Sequence, residues 1–438
     1  MPEPSTTRRA TLGLAATAGL GALGISPARF DPPAEPDPAT VWPWRNGGAD
    51  RRRFAPSDPA LEAVAVDPAW TVDLRGRVDG LRVGPDSVFV RHVPPDSDGG
   101  DAGLVALARD DGARRFRAEP SIPFASTTDE LAVRTREAFG VVGGTAYVPA
   151  QVEGAGTATA ITAVDAASGA TRWQARAADL DAGATLVVRD GTVFFAGAGD
   201  TLRGIQSTTG LGVRAFGGLQ MPTLHAGRGD GLVVSHRETR DGADQWVLSE
   251  VRVGGQRRWT IPYPSGEDDL GGFGGFGLVG AVTDDMVLLR GYVIGGPDPD
   301  EVVLSARRRT DGSEAWRQRL QSDDVVPAVV ASDRYAFLTM VDRVAAIDLA
   351  DGRVVWDRVP VARGSDGGLE VATPETLYVP RSDGIHRVDP ATGRPTGEPL
   401  LAGRFVDSLA VVDDGAVALE RVGTRDDDRW RLHRLATP

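Results

Sequence analysis

The sequence predicts an all-β fold: an eight-bladed β-propeller of four-stranded antiparallel blades, with an N-terminal strand closing the last blade. Seven blades is the alternative count. Three observations predict it. A turn followed by an aromatic residue recurs every 40–57 residues, two further apolar runs precede each recurrence, and the two ends of the repeat region are incomplete in complementary ways. A chain of 438 residues also exceeds the size at which one hydrophobic core stops growing, so several domains or a repeat architecture are required.

The repeated unit is clearest where Ile161-Thr162-Ala163-Val164-Asp165 leads through Ser168-Gly169 to Trp173, and where Ala345-Ala346-Ile347-Asp348 leads through Asp351-Gly352 to Trp356. Gly255/Trp259 and Gly312/Trp316 keep the spacing, and Gly112/Phe116 keeps it with another aromatic. Two copies are degenerate. Gly210 is followed by Arg214 with Phe216 nearby, and Asp389-Pro390-Ala391-Thr392-Gly393 lacks the aromatic, leaving the region near Gly397 as its equivalent. Alternating apolar residues make a strand with one buried face. Asp caps the following turn and Gly accepts its positive φ. The aromatic on the returning strand then packs between neighbouring sheets. Upstream, Leu186-Val187-Val188 and Thr192-Val193-Phe194-Phe195 flank the Asp190-Gly191 turn, and Ala328-Val329-Val330 and Tyr335-Ala336-Phe337-Leu338 flank Ser332-Asp333. Four short strands per unit make a propeller blade.

The chain ends supply the closure. Trp70, in Ala69-Trp70-Thr71-Val72-Asp73-Leu74, has no three strands before it. Three C-terminal runs, Leu409–Val412, Val417–Glu420 and Trp430–Leu435, have no fourth after them. Joining the two completes a blade and removes an exposed sheet edge.

Composition narrows the function. The chain holds 61 acidic and 48 basic residues, no lysine, one asparagine (Asn46) and no cysteine, for a formal net charge of −13. This Asp-rich, Lys-free balance resembles that of proteins from extreme halophiles, where solvated carboxylates suppress association in concentrated salt. Acidic residues interrupt nearly every basic run, Arg51-Arg52-Arg53 apart, so no nucleic acid is expected as partner. Without cysteine there is no disulfide, thiolate metal site or lipid-anchored cysteine. The stretch 1–28 reads as a twin-arginine export signal: Arg8 and Arg9, Leu12 three residues on, then the apolar run Gly13–Leu20. Cleavage near Ala28 is expected, with an N-terminal anchor as the alternative and no other membrane insertion. Residues 29–68 form a Pro/Asp-rich linker and lead-in, and 69–438 the propeller.

The turn-and-Trp units resemble PQQ-like propeller repeats over about residues 42–438, and Trp42-Pro43-Trp44 through Phe54-Ala55-Pro56 is similar to the lead-in that precedes them in secreted members. The resemblance covers quinoprotein dehydrogenases, which hold PQQ on the axis, and outer-membrane assembly scaffolds of the BamB type, which do not. The enzymes imply an adjacent cysteine pair, a Glu/Asn/Asp calcium site and an Asp base, none of which transfers to positions here. The expectation is therefore a secreted or cell-surface, monomeric scaffold that binds protein partners without cofactor or catalysis. A quinoprotein-like dehydrogenase or a polysaccharide-binding propeller is the alternative.

Other chemistry reads as structure. Asp96, Asp98 and Asp101 alternate around Gly99-Gly100 as in part of a calcium loop, but without the closing bidentate Glu they read as a solvated turn. Asp426-Asp427-Asp428 reads likewise, and Gly271–Gly277 reads as an inter-blade loop, with no helix following to hold phosphate. His92, His225, His236, His386 and His433 are scattered, and Arg228-Gly229-Asp230 follows from composition. Trp42 and Trp44 lie outside the repeat, and Trp246 has no repeat role.

Overall fold

The computed structural model describes residues 55, 58–59, 61, 68–93, 103–118, 140–151, 159–177, 186–189, 191–196, 201–217, 219–240, 243–262, 279–293, 301–321, 328–340, 343–358, 370–422 and 429–436. These form eight antiparallel sheets and no helix. Blades 1 to 6 span 77–118, 140–177, 187–217, 220–262, 279–321 and 328–358, each with four strands in chain order from the axis outward. Blade 8 combines Val406–Val412, Gly415–Arg421 and Arg429–Ala436 with the N-terminal strand Trp70–Arg75, which pairs from Trp70↔Arg434 to Arg75↔Arg429. Eight blades and the N-terminal closure follow the sequence reading, and the seven-blade count is set aside.

Blade 7 departs from the four-strand pattern. It holds Val371–Ala372, Leu377–Arg381 and Gly384–Val388, and its outer position is taken by residues 395–400, joined through the isolated bridges Val388↔Pro395 and Ile385↔Leu400. Pro395 and Pro399 lack the N–H that a continuous ladder needs, so the segment bulges over Gly397-Glu398.

The turn chemistry is visible at atomic detail. Asp389 Oδ1 accepts the N–H groups of Ala391 (2.9 Å) and Thr392 (2.8 Å), while Gly393 N–H donates to the Asp389 carbonyl at 2.9 Å. The Asp165 carboxylate caps its own turn in the same way and binds Arg172, and these hydrogen bonds hold its pKa far below the usual carboxylate range.

Each aromatic locks two blades. The ring carried by one blade lies on the turn glycine of the next: Trp70 on Gly112, Phe116 on Gly169, Trp173 on Gly210, Phe216 on Gly255, Trp259 on Gly312, Trp316 on Gly352 and Trp356 on Gly393. The indole N–H groups of Trp70, Trp173, Trp259, Trp316 and Trp356 donate to turn carbonyls of Arg109, Ser207, Arg309, Leu349 and Pro390, at 2.8–3.0 Å. The blade 7–blade 8 joint is the exception: the third and fourth strands of blade 8, Arg429–Ala436 and Trp70–Arg75, are distant in sequence and joined by no hairpin turn, so this joint lacks the turn glycine of the others.

The lead-in packs at that joint instead. Ala55 N–H donates to Ala372 O at 2.8 Å, Asp58 accepts from Thr373 Oγ1 (2.7 Å) and the Tyr378 hydroxyl (3.1 Å), and Arg387 donates to Leu61 O. Leu61 is 1% exposed, in one cluster with Val371, Tyr378 and Ile385 of blade 7 and Leu409–Val412 of blade 8.

Candidate binding face

Antiparallel order gives the disc two unlike faces. Turns joining strands one to two and three to four lie on one face and are short, as at 84–86, 229–230, 283–285 and 413–414. Connections from strand two to three, and from each blade to the next, lie on the other face. The long segments 94–102, 119–139, 263–278 and 359–369 all bridge strand ends there, and they lie outside the described residues. The lead-in contacts fall on the tight-turn face.

Where blades 7 and 8 reach the loop face, the structure assembles paired charges. Glu370, fully buried just before the first strand of blade 7, accepts Arg381 Nη1 at 3.1 Å, and its Oε2 has no partner among the described residues. Glu420 accepts Arg404 Nη1 at 3.1 Å and His433 Nε2–H at 2.6 Å. His433 Nδ1 lies 3.4 Å from Thr71 Oγ1 on the closing strand. Burial pushes the His433 pKa below its ordinary 6.5, outweighing the opposite pull of Glu420. A neutral ring fits both contacts, with Nε2–H donating and Nδ1 accepting. Arg421 pairs with Asp407 at 3.3 Å and stacks 5.0 Å from the Trp430 ring and 5.2 Å from the Phe405 ring. The cluster fixes charged side chains at one end of the closing blade.

A second buried cluster lies toward the tight-turn face, between blades 4 and 5. Glu250, fully buried, accepts Arg258 Nη1 at 2.6 Å, Arg309 Nη2 at 2.5 Å and the Trp259 indole N–H at 3.2 Å. Blade 4 also pairs His225 with Ser235 (2.8 Å) and His236 with Ser249 (2.9 Å). All four side chains are at most 2% exposed, so these pairs serve as cross-strand hydrogen bonds that no substrate reaches.

The residues singled out from the sequence fall in four places. The seven aromatics and their glycines line the joints between blades, each ring meeting the glycine of the next unit rather than its own. Arg228-Gly229-Asp230 forms the first turn of blade 4. Trp246 sits on the third strand of blade 4, under Arg237. Arg8, Arg9, Trp42, Trp44, Asn46, Asp96, Asp98, Asp101, Gly271–Gly277 and Asp426–Asp428 lie outside the described residues. Reading along the chain missed Asp58, Leu61, Glu250, Glu370 and Glu420, none of which belongs to a repeated motif.

Fold and joints together define an eight-bladed β-propeller. The family described as outer membrane protein assembly factor BamB has a sequence profile that matches residues 229–422. Among solved structures, BamB from Moraxella catarrhalis aligns over 86% of this chain and 100% of its own, at 14% identity and TM-score 0.50. The computationally designed Ika8 protein aligns over 86% and 100%, at 13% identity and TM-score 0.54. A europium-containing methanol dehydrogenase aligns over 88% and 90%, at 15% identity and TM-score 0.52. Identities this low establish the shared fold alone. No curated protein matches the sequence.

The enzyme branch of these folds implies PQQ and a metal. The chain has no cysteine, its one asparagine is Asn46, and among the described residues no group of three or more His, Asp or Glu is placed to hold a metal ion.

Proposed function

We propose that this chain is a binding and scaffold propeller that offers its loop face to a protein partner, without catalysis of its own. The carrying observation is the asymmetry of the disc. Locked joints, tight turns and the lead-in occupy one face, and the strand ends that the longest connections join lie on the other. A rigid ring that gathers variable loops on one side suits recognition. The match to a family named for outer membrane protein assembly supports a scaffold role. Export through the twin-arginine route, on Arg8 and Arg9, to the cell surface completes the reading. Replacing both arginines by lysine then retains the precursor inside the cell.

Because the chain has no cysteine, single thiols test the face directly. Ser382→Cys lies on an exposed loop-face turn and Glu375→Cys near an exposed tight turn. With a bulky maleimide polymer attached, the first loses the partner captured by unlabelled protein and the second keeps it. The reverse pattern, or turnover by the purified chain, contradicts the proposal.

A further inference from the structure

Blade 4 differs from the other blades at the loop face. In blades 2, 3, 5, 6 and 8 the outer strand runs to the end of the second-to-third-strand hairpin, as in Thr159↔Ala177, Thr201↔Gly217, Glu301↔Gln321, Val344↔Arg358 and Arg429↔Arg75. In blade 4 the hairpin of Gly231–Arg240 and Ala243–Arg252 continues past its outer strand, Arg257–Pro262. The last outer pair is Val247↔Pro262, and four further pairs, Arg237↔Trp246 to Arg240↔Ala243, extend beyond it. At the usual rise per residue the overhang is about 13 Å. Among the described residues no strand pairs with the outer edge of Ala243–Trp246.

The side chains on this overhang are unusual for the chain. Trp246 takes no part in the inter-blade locks and is partly exposed. Arg237, on the neighbouring strand, stacks its guanidinium 5.2 Å from the Trp246 ring and has no carboxylate partner among the described residues. In a chain with 61 acidic residues to 48 basic ones, other described arginines such as Arg172, Arg258 and Arg317 hold carboxylate partners. An unpaired guanidinium held on an aromatic face, beside an open strand edge, selects for a carboxylate arriving on an extended backbone.

We propose that the blade 4 hairpin overhang is a docking strand for an extended, carboxylate-bearing peptide segment. The segment adds along Ala243–Trp246, with its carboxylate on Arg237 and an apolar side chain on Trp246. This rests on the reading of the chain as a binding propeller and names the surface it uses.

The test uses the full chain and three acetylated, amidated octapeptides of alternating Thr and Val, identical except for a central Glu, Gln or Lys. The Glu peptide binds, the Gln peptide binds about tenfold more weakly and the Lys peptide does not bind, a factor of ten being about 1.4 kcal/mol. Peptide binding slows amide exchange within Ala243–Trp246. Arg237→Gln removes the Glu-over-Gln preference, and Trp246→Ala weakens both peptides while leaving the unfolding midpoint nearly unchanged. Equal binding of all three peptides, binding unaffected by both substitutions, or protection elsewhere overturns the docking strand. If the Ser382 label still blocks partner capture while Arg237→Gln and Trp246→Ala leave it intact, the overhang is refuted and the loop-face reading stands.

Discussion

Trp356 and Gly393 belong to adjacent blades, yet a methyl group at Gly393 would come within 2.6 Å of the Trp356 ring, whose N–H donates to Pro390 O three residues earlier at 2.9 Å. The same relation repeats round the ring and makes neighbouring blades interdependent. The glycine is needed twice, for its φ of 69° and for the space the indole fills.

Gly393→Ala therefore lowers stability by about 2–4 kcal/mol, from left-handed strain together with overpacking. Gly403→Ala, at φ 74° with open space around it, costs only the conformational part, about 1–2 kcal/mol. Urea midpoints of the two variants separate the contributions. Equal losses would mean that the ring contact is immaterial.

The lead-in stabilises the joint that lacks an aromatic lock. Leu61→Ala costs about 2–5 kcal/mol through the lost burial and the cavity left behind. Asp58→Ala costs about 1–3 kcal/mol by stripping the partners of Tyr378 and Thr373. Burial, reinforced by Asp58, raises the Tyr378 pKa, so Asp58→Asn brings the phenol titration down toward its ordinary 10.0. An unchanged Tyr378 titration in that variant would place Asp58 elsewhere.

Glu250→Ala removes the buried carboxylate that Arg258, Arg309 and Trp259 share, a loss of about 3–5 kcal/mol, even though Arg258 keeps Asp230 as a second partner. The Asp351–Arg353 pair, with side chains 45% and 81% exposed, is the contrast: Asp351→Asn shifts the midpoint little. Comparable effects at the two sites would contradict the burial argument.

Stability falls as pH drops from 7 toward 5. Burial holds His92, His236 and His433 below their ordinary 6.5, so the unfolded chain takes up protons first and is favoured below that value. Their contribution is complete above pH 6.5 and erodes as pH falls through the window down to the folded values. His433→Gln, which keeps a polar group beside Glu420, flattens part of this slope. A slope identical to that of the parent chain would mean that His433 titrates alike folded and unfolded.

Much of this architecture was legible in sequence. Regular spacing from Trp70 to Trp356 marks a propeller, and the stranded half-blades at the two ends, 70–75 and 406–436, mark the closure. The direction of each lock was not legible, because the spacing is the same whether Trp173 meets Gly169 or Gly210. The missing aromatic near Gly397 looked like decay, whereas it faces the one joint whose third and fourth strands are not linked by a hairpin turn. Asp58 and Leu61 meet partners more than 300 residues away, and no local pattern marks such pairs. The exposed edge beside Trp246 depends on where Pro262 stops relative to Arg240, a comparison of strand lengths that alternation alone does not set.

Closure by the first strand is the most direct point of test, since every joint depends on an unbroken ring. Asp73 and Arg431 face each other across it, with Oδ1 and Nε 2.6 Å apart. In the cysteine-free chain, Asp73→Cys/Arg431→Cys treated with a short bismaleimide yields an intramolecular cross-link in the folded protein at high efficiency, and none in urea. A folded product that stays uncross-linked, or that links only between chains, would mean that Trp70–Arg75 does not complete the eighth blade.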